Sequence, residues 1–363
     1  MTADVADPVE LFSHTVPESH ARFVAAATAA GAVVEQHPHP LAGPDGEPLH
    51  AAVARLGPAD ASTVVLAISG THGIEGYAGS GIQIGALRTA AETLPLVDDM
   101  AIVLVHQSNP WGAAWSRKEN EDNQELLRHY RFCHDGGRPN PVFDDFYETV
   151  GFHRAASVEE LFAAGRRMRD LFGRHDPADV QTALVRGQRD HPDAITYHGG
   201  EPAWSKRLLD DVARRHLAGA ERVAVLDLHT AVGGYGEAVV LDEAPEGSVD
   251  ARLVQAWFGE LLAWNEERKR TYAWIEEVVP GTTVVSATME IGTETLGPND
   301  QIIFPLDCWL HHSGARMAPE HRVHVERYRR FFYPEEPAWM ASTWRSAQPR
   351  VARFVRGVGE WRD

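Results

Sequence analysis

The sequence predicts an α/β protein, a three-layer α/β/α sandwich around a mixed, mainly parallel sheet. Three observations predict it. Four short apolar runs rich in β-branched residues, Thr63–Ser69, Ala101–Val105, Val223–Leu228 and Val284–Ile291, read as strands buried on both faces. Helical stretches lie between them, the pattern of parallel strands joined by crossover helices. Two further strand-like segments, Ala32–Gln36 and Leu49–Leu56, flank the turn Pro44-Asp45-Gly46, a hairpin signal that makes the sheet mixed.

In chain order, an amphipathic helix over residues 17–30 precedes the hairpin, and a helix from Tyr77 to Thr93 follows the first buried strand. Further helices are predicted at about 157–187, 203–219 and 250–268. Residues 130–200 are polar, broken by Gly and Pro, and too long for a plain crossover. They read as an elaboration capping one edge of a site, and one role for it is a homo-oligomer interface. From about residue 316 the chain reads as terminal helices. No repeat or linker divides residues 1–363, so the expectation is a single domain.

Composition excludes several function classes. With 34 basic and 52 acidic residues the net charge is −18, and such a surface repels phosphate backbones, so no nucleic-acid partner is expected. Only Lys118, Lys206 and Lys269 are lysines; the other basic residues are arginine. Cys133 and Cys308 are the whole thiol inventory, too few for a disulfide framework or a cysteine zinc site. The N-terminus has acids where a signal peptide needs bases, and no run of 18 or more apolar residues occurs; a cytoplasmic protein with no membrane contact is expected. The 19 histidines hint at a metal.

In open α/β sheets, ligands bind at the carboxyl ends of the strands. Polar, titratable residues cluster there: Gly70-Thr71-His72-Gly73-Ile74-Glu75-Gly76 after the first buried strand, His106 to Gly112 after the second, His229 to Gly234 after the third, and Glu290 to Thr293 at the end of the fourth. His72-x-x-Glu75 has metal-ligand spacing. Roughly 2.7 such His-x-x-acid matches arise by chance in a chain of this composition, and two occur, the other being His198/Glu201. Position separates them, because only the first follows a buried strand and is flanked by glycines. His229 is the natural third ligand, with Asp227 two residues earlier on the same side of the strand, placed to orient an imidazole. Two histidines and one glutamate leave zinc an open fourth position, the mark of a catalytic site. Glu290 ends an apolar strand, where a carboxylate is costly unless used, and is the candidate general base; Glu294 is its rival. In the charged stretch Arg117–Arg128, arginines can grip a carboxylate or polarise a carbonyl, although a solvated helix face has the same spacing.

These residues carry a family resemblance. The Gly70–Gly76 segment, Asn109-Pro110-Trp111-Gly112 with Arg117, Asn120 and Asn123, Asp227-Leu228-His229-Thr230, and Met289-Glu290-Ile291-Gly292-Thr293 occur in order over residues 60–300. Together they resemble the zinc carboxypeptidase superfamily, most closely its uncharacterised, carboxypeptidase-like bacterial branch. Gly187-Gln188, His191-Pro192-Asp193, Tyr197-His198-Gly199-Gly200 and Pro202-Ala203-Trp204-Ser205 also resemble that branch. The resemblance implies one zinc ion held by His72, Glu75 and His229, with Glu290 as general base. It further implies Arg117 and Arg128 on the substrate carbonyl or carboxylate, and His198/Glu201 as pocket lining. The chain departs from the family where an Asn-Arg pair usually grips the terminal carboxylate, because here the pair is Leu127-Arg128. The expected activity is zinc-dependent hydrolysis of an amide bond in a short peptide or amino-acid conjugate. The alternatives are an N-acyl-amino-acid deacylase of the aspartoacylase type and a non-catalytic ligand-binding relative.

Overall fold

The computed structural model describes residues 5, 7–132, 139–263, 270–297 and 302–362. Eight strands form the sheet: β1 (Val33–Ala42), β2 (Pro48–Leu56), β3 (Thr63–Ser69), β4 (Met100–His106), β5 (Arg222–Tyr235), β6 (Ala238–Asp242), β7 (Leu262–Ala263) and β8 (Thr283–Gly292). Their order is β1-β2-β4-β3-β5-β8-β6-β7. The four runs read as buried strands are the four central strands β4-β3-β5-β8, all parallel. The predicted hairpin β1/β2 adds to them antiparallel through β2, and β6 adds antiparallel on the far side of β8. The sheet is therefore mixed and mainly parallel.

Burial on both faces follows from helices on both sides. Along β3, Val65 and Ala67 join one core, while Val64, Leu66 and Ile68 join the other. The helices Val16–Ala29, Gly76–Arg88 and Pro337–Gly359 contribute to the first core through Phe23, Ile82, Trp344 and Phe354. The helix Trp204–His216 and Trp274–Val278 contribute to the second through Leu209, Val212 and Ile275. Among the described residues no helix is long and apolar enough to cross a membrane.

Two helix expectations need correction. The stretch 157–187 is three helices, Val158–Gly165, Met168–Phe172 and Pro177–Arg186. Pro177 cannot continue a preceding helix, and it opens a new one capped by Asp176. Of the stretch 250–268, residues 264–268 lie outside the described residues; within the rest the helix is Val249–Phe258, because Gly259 turns the chain at a φ of +84° and the short strand β7 follows. The terminal helices expected from about residue 316 are Arg322–Phe332 and Pro337–Gly359, and the helix Ile303–His312 precedes them. Between β4 and β5, residues 139–200 carry a small core of their own, built on Phe143, Phe146, Leu171 and Val180. Cys308 is a buried free thiol, and Cys133 lies outside the described residues.

Candidate metal centre

The loop leaving β3 is shaped by close backbone approach. Gly70 has a φ of +73°, and a Cβ on Gly73 would stand 2.3 Å from the Gly112 carbonyl carbon. The Gly73 and Ile74 amides donate to the Lys118 and Arg117 carbonyls at 3.0 and 2.8 Å, stitching this loop to the segment after β4. The turn delivers His72 and Glu75 to one point, just before the helix Gly76–Arg88 begins. His229 arrives from β5. Its neighbour on β8 is Glu290, paired with it in register.

Three side chains converge as potential ligands, and all are buried: His72, Glu75 and His229. The His72 and His229 Nδ1 atoms stand 3.1 Å apart, and the Glu75 oxygens lie 2.9 Å from the first and 3.1 Å from the second. Tetrahedral zinc with bonds near 2.05 Å sets its ligand atoms about 3.3 Å apart, so the donor spacing as well as the donor chemistry fits zinc. Each imidazole has a carboxylate at its other nitrogen. His229 Nε2 lies 2.7 Å from Asp227 Oδ2, and His72 Nε2 meets Glu125 Oε1. This is the arrangement that fixes a ligating histidine's tautomer and ring plane. Asp227 is held in turn by the hydroxyls of Thr71 at 3.0 Å and Tyr272 at 2.5 Å. The Thr230 amide donates to Glu75 Oε2 at 3.0 Å.

The electrostatics match. Burial opposes ionisation of Glu75, but His72 and His229 outweigh it and hold the carboxyl down at about 2. Burial also opposes the charged form of Glu125, yet Arg128, Lys118 and His72 keep its carboxyl well below the usual range. Glu290 behaves oppositely. Burial pushes it well above the usual carboxylate range, against the pull of His229, with Glu75 and Glu243 adding to the rise. Its Oε2 is buried with no hydrogen-bond partner among the described residues. Just after His229, Ala231 holds a φ of +106°, a strained conformation for a side-chain-bearing residue and one that tends to occur at functional sites.

The remaining predicted residues are placed unequally. Arg128 pairs with Glu125 Oε2 at 2.6 Å, one residue from His72. Arg117 is fully buried, with its guanidinium on Asp307 at 2.8 Å and on Asn123 at 2.6 Å. Glu294 pairs with Arg330 on the surface. His198 is buried, and its Cδ2 crowds Gly187 together with the Arg128 stem, while Glu201 is exposed. Leu127 presents an aliphatic side chain beside Arg128 and is half-buried.

Sequence reasoning missed Glu125, which sat inside a stretch read as charged loop. A signal was available: it immediately precedes Leu126-Leu127, where apolar residues resume. Its side chain accepts the Arg128 amide at 3.1 Å, an N-capping contact for the helix Leu126–Phe132. Buried Glu243, bonded to Thr288 Oγ1 at 2.6 Å, was also missed.

All of these groups fall within the span recognised by a family model, described as a protein of unknown function (DUF2817), which matches residues 12–346. The chain belongs to this family. Comparison with the curated proteins finds no match. Among solved structures, the carboxypeptidase A from Helicoverpa armigera is similar at 11% identity and a TM-score of 0.43, covering 87% of this chain and 73% of that one. Bovine thrombin-activatable fibrinolysis inhibitor, in complex with tick carboxypeptidase inhibitor, is 13% identical with a TM-score of 0.44, covering 96% of this chain and 97% of that one. A metallo-carboxypeptidase from Pseudomonas aeruginosa is 14% identical with a TM-score of 0.36, covering 82% and 69%.

Proposed function

We propose that this chain is a zinc-dependent amide hydrolase acting on a short peptide or an amino-acid conjugate. One observation carries the reading: two imidazole Nδ1 atoms and a carboxylate converge beside Glu290, a buried glutamate whose Oε2 has no hydrogen-bond partner among the described residues. His72, Glu75 and His229 would hold one zinc ion. The metal, when bound, supplies Lewis acidity, lowering the pKa of water to about 7 and polarising a carbonyl.

The chain's own residues supply the rest. Asp227 and Glu125 orient the two imidazoles. Glu290, with its proton affinity raised by burial, accepts a proton from the attacking water and returns it to the leaving nitrogen. Arg128 stands beside the centre as an anion-binding group. Leu127 favours a second reading, N-acyl-amino-acid deacylation, because a leucine offers no hydrogen bond to a peptide's terminal carboxylate at the position where the resembled family has asparagine. We further propose a cytoplasmic location and a homo-oligomer interface on the 130–200 elaboration.

The test is a panel of dipeptides and N-acyl amino acids, run with and without chelator, on the wild type and on Glu290→Gln. Hydrolysis is expected in the wild type only and is expected to disappear with chelator, while Glu290→Gln keeps stoichiometric zinc. Near-wild-type turnover in Glu290→Gln refutes the role of Glu290. Protein without stoichiometric zinc refutes the metal reading.

A further inference from the structure

An acidic protein that acts on an anionic conjugate needs local positive charge at the site, and Arg117, one of the two arginines expected to provide it, is spent elsewhere. Every nitrogen of the Arg117 guanidinium is engaged. Nε is on Asp307, Nη1 on the Asn120 carbonyl at 3.4 Å and Nη2 on Asn123, and the side chain has 0% exposure. Asn123 in turn donates to the Pro192 and Ala194 carbonyls. Arg117 is thus a buried tie between the helix Ile303–His312, the loop after β4 and the segment 192–194.

The next residue is placed differently. The Lys118 carbonyl receives the Gly73 amide, so its backbone is fixed one residue from His72. Its Nζ lies 3.4 Å from Glu125 Oε1, the same oxygen that meets His72 Nε2. That separation is longer than a good N–H···O bond, and no hydrogen bond from Nζ occurs among the described residues. The ammonium therefore retains donors, and its side chain is 15% exposed. Arg128 approaches the other oxygen of Glu125. Two cations thus flank one carboxylate directly behind His72. In an N-acyl amino acid or a dipeptide the free carboxylate carbon lies three bonds from the scissile carbonyl carbon, a path of about 4.3 Å, so its binding group belongs close beside the metal ligands.

We infer that Lys118 is a specificity-determining residue: its ammonium receives the free carboxylate of the substrate next to Arg128, while Arg117 is a structural tie. The inference rests on the metallohydrolase reading and narrows its substrate class to amides that carry a free carboxylate. A lysine serves here as a compact point charge with rotatable donors, so it tolerates carboxylates at more than one angle than a forked arginine would.

The test uses the full chain loaded with zinc, in the Glu290→Gln background so that no turnover intrudes. N-acetylglycine and its neutral counterpart N-acetylglycinamide are titrated calorimetrically, and zinc content and melting temperature are measured alongside. The parent is expected to prefer the carboxylate by about ten-fold or more, the scale of one charge-assisted hydrogen bond. Lys118→Met is expected to erase that preference while zinc content and affinity for the neutral probe stay constant, and Lys118→Arg to restore most of it. A preference unchanged in Lys118→Met overturns the inference. So does loss of zinc in that variant, because Lys118 would then act only as support for Glu125. Zinc-loaded parent with no preference, or with no affinity for either probe, overturns this inference alone. A parent that binds no zinc overturns the underlying reading as well.

Discussion

Glu125 shapes the candidate centre from behind a ligand. Its Oε1 receives His72 Nε2, its Oε2 receives Arg128, and it is fully buried. A carboxylate in that place would lock the imidazole plane and raise the basicity of the nitrogen that faces a bound metal. Glu125→Gln keeps the shape and removes the charge, so zinc affinity is expected to fall about 10- to 100-fold. Competition against a chromogenic chelator measures it, and an affinity equal to that of the wild type would remove Glu125 from the account. Asp227 occupies the matching place behind His229, and that placement was legible beforehand, because i and i+2 on a strand share a side. Glu125 was not legible in the same way. Its partner lies 53 positions away in sequence, and only the docking of the 117–125 loop onto the Gly70–Gly76 turn brings the two together.

At the level of elements, the helix Ile303–His312 is fastened beneath the site by one ion cluster. Asp307 accepts from Arg117 Nε at 2.8 Å and from Arg316 Nη1 at 2.5 Å, all three side chains being buried. Burial opposes the Asp307 charge, but the two guanidiniums outweigh it and hold its carboxyl below its ordinary value of 3.8. A carboxyl depressed in the folded state contributes stability that is complete above its unfolded value and is lost as pH falls through the folded one. The pair's contribution is therefore expected to be constant at neutral pH and to decline below about pH 4. Asp307→Asn leaves a buried arginine short of its counterion, at a cost of roughly 3–5 kcal/mol at pH 7. Thermal melts of both proteins between pH 7 and pH 3 check this: the gap between them should narrow on acidification. A gap independent of pH would assign the cost to packing instead.

For the whole molecule, a metal that binds only the folded chain adds to its stability, by about 2.7 kcal/mol when free zinc is a hundredfold above its dissociation constant. Chelator is therefore expected to lower the melting temperature of the wild type and to leave that of His72→Ala unchanged. Scanning calorimetry decides, and equal shifts in both proteins would mean that the chelator acts elsewhere. The three layers, the central parallel strands and the hairpin were all legible in the sequence, because continuous apolar runs and a Pro-Asp-Gly turn are local signals. The helix limits at 157–187 and 250–268 were less so, since Gly259 and Pro177 end or begin helices that apolar spacing alone would run together.

By itself, the sequence determined the fold class, and it singled out His72, Glu75 and His229, which the structure brings together, with Asp227 and Glu290 beside them. Those readings depend on residue type and short-range spacing, which are written along the chain. Only the tertiary structure decided how the cations are used, with Arg117 spent inside the protein and Lys118 and Arg128 left on either side of Glu125. The physical reason is that a charge's role depends on what solvates it. Spacing cannot distinguish a guanidinium saturated by buried acceptors from an ammonium that keeps donors to spare.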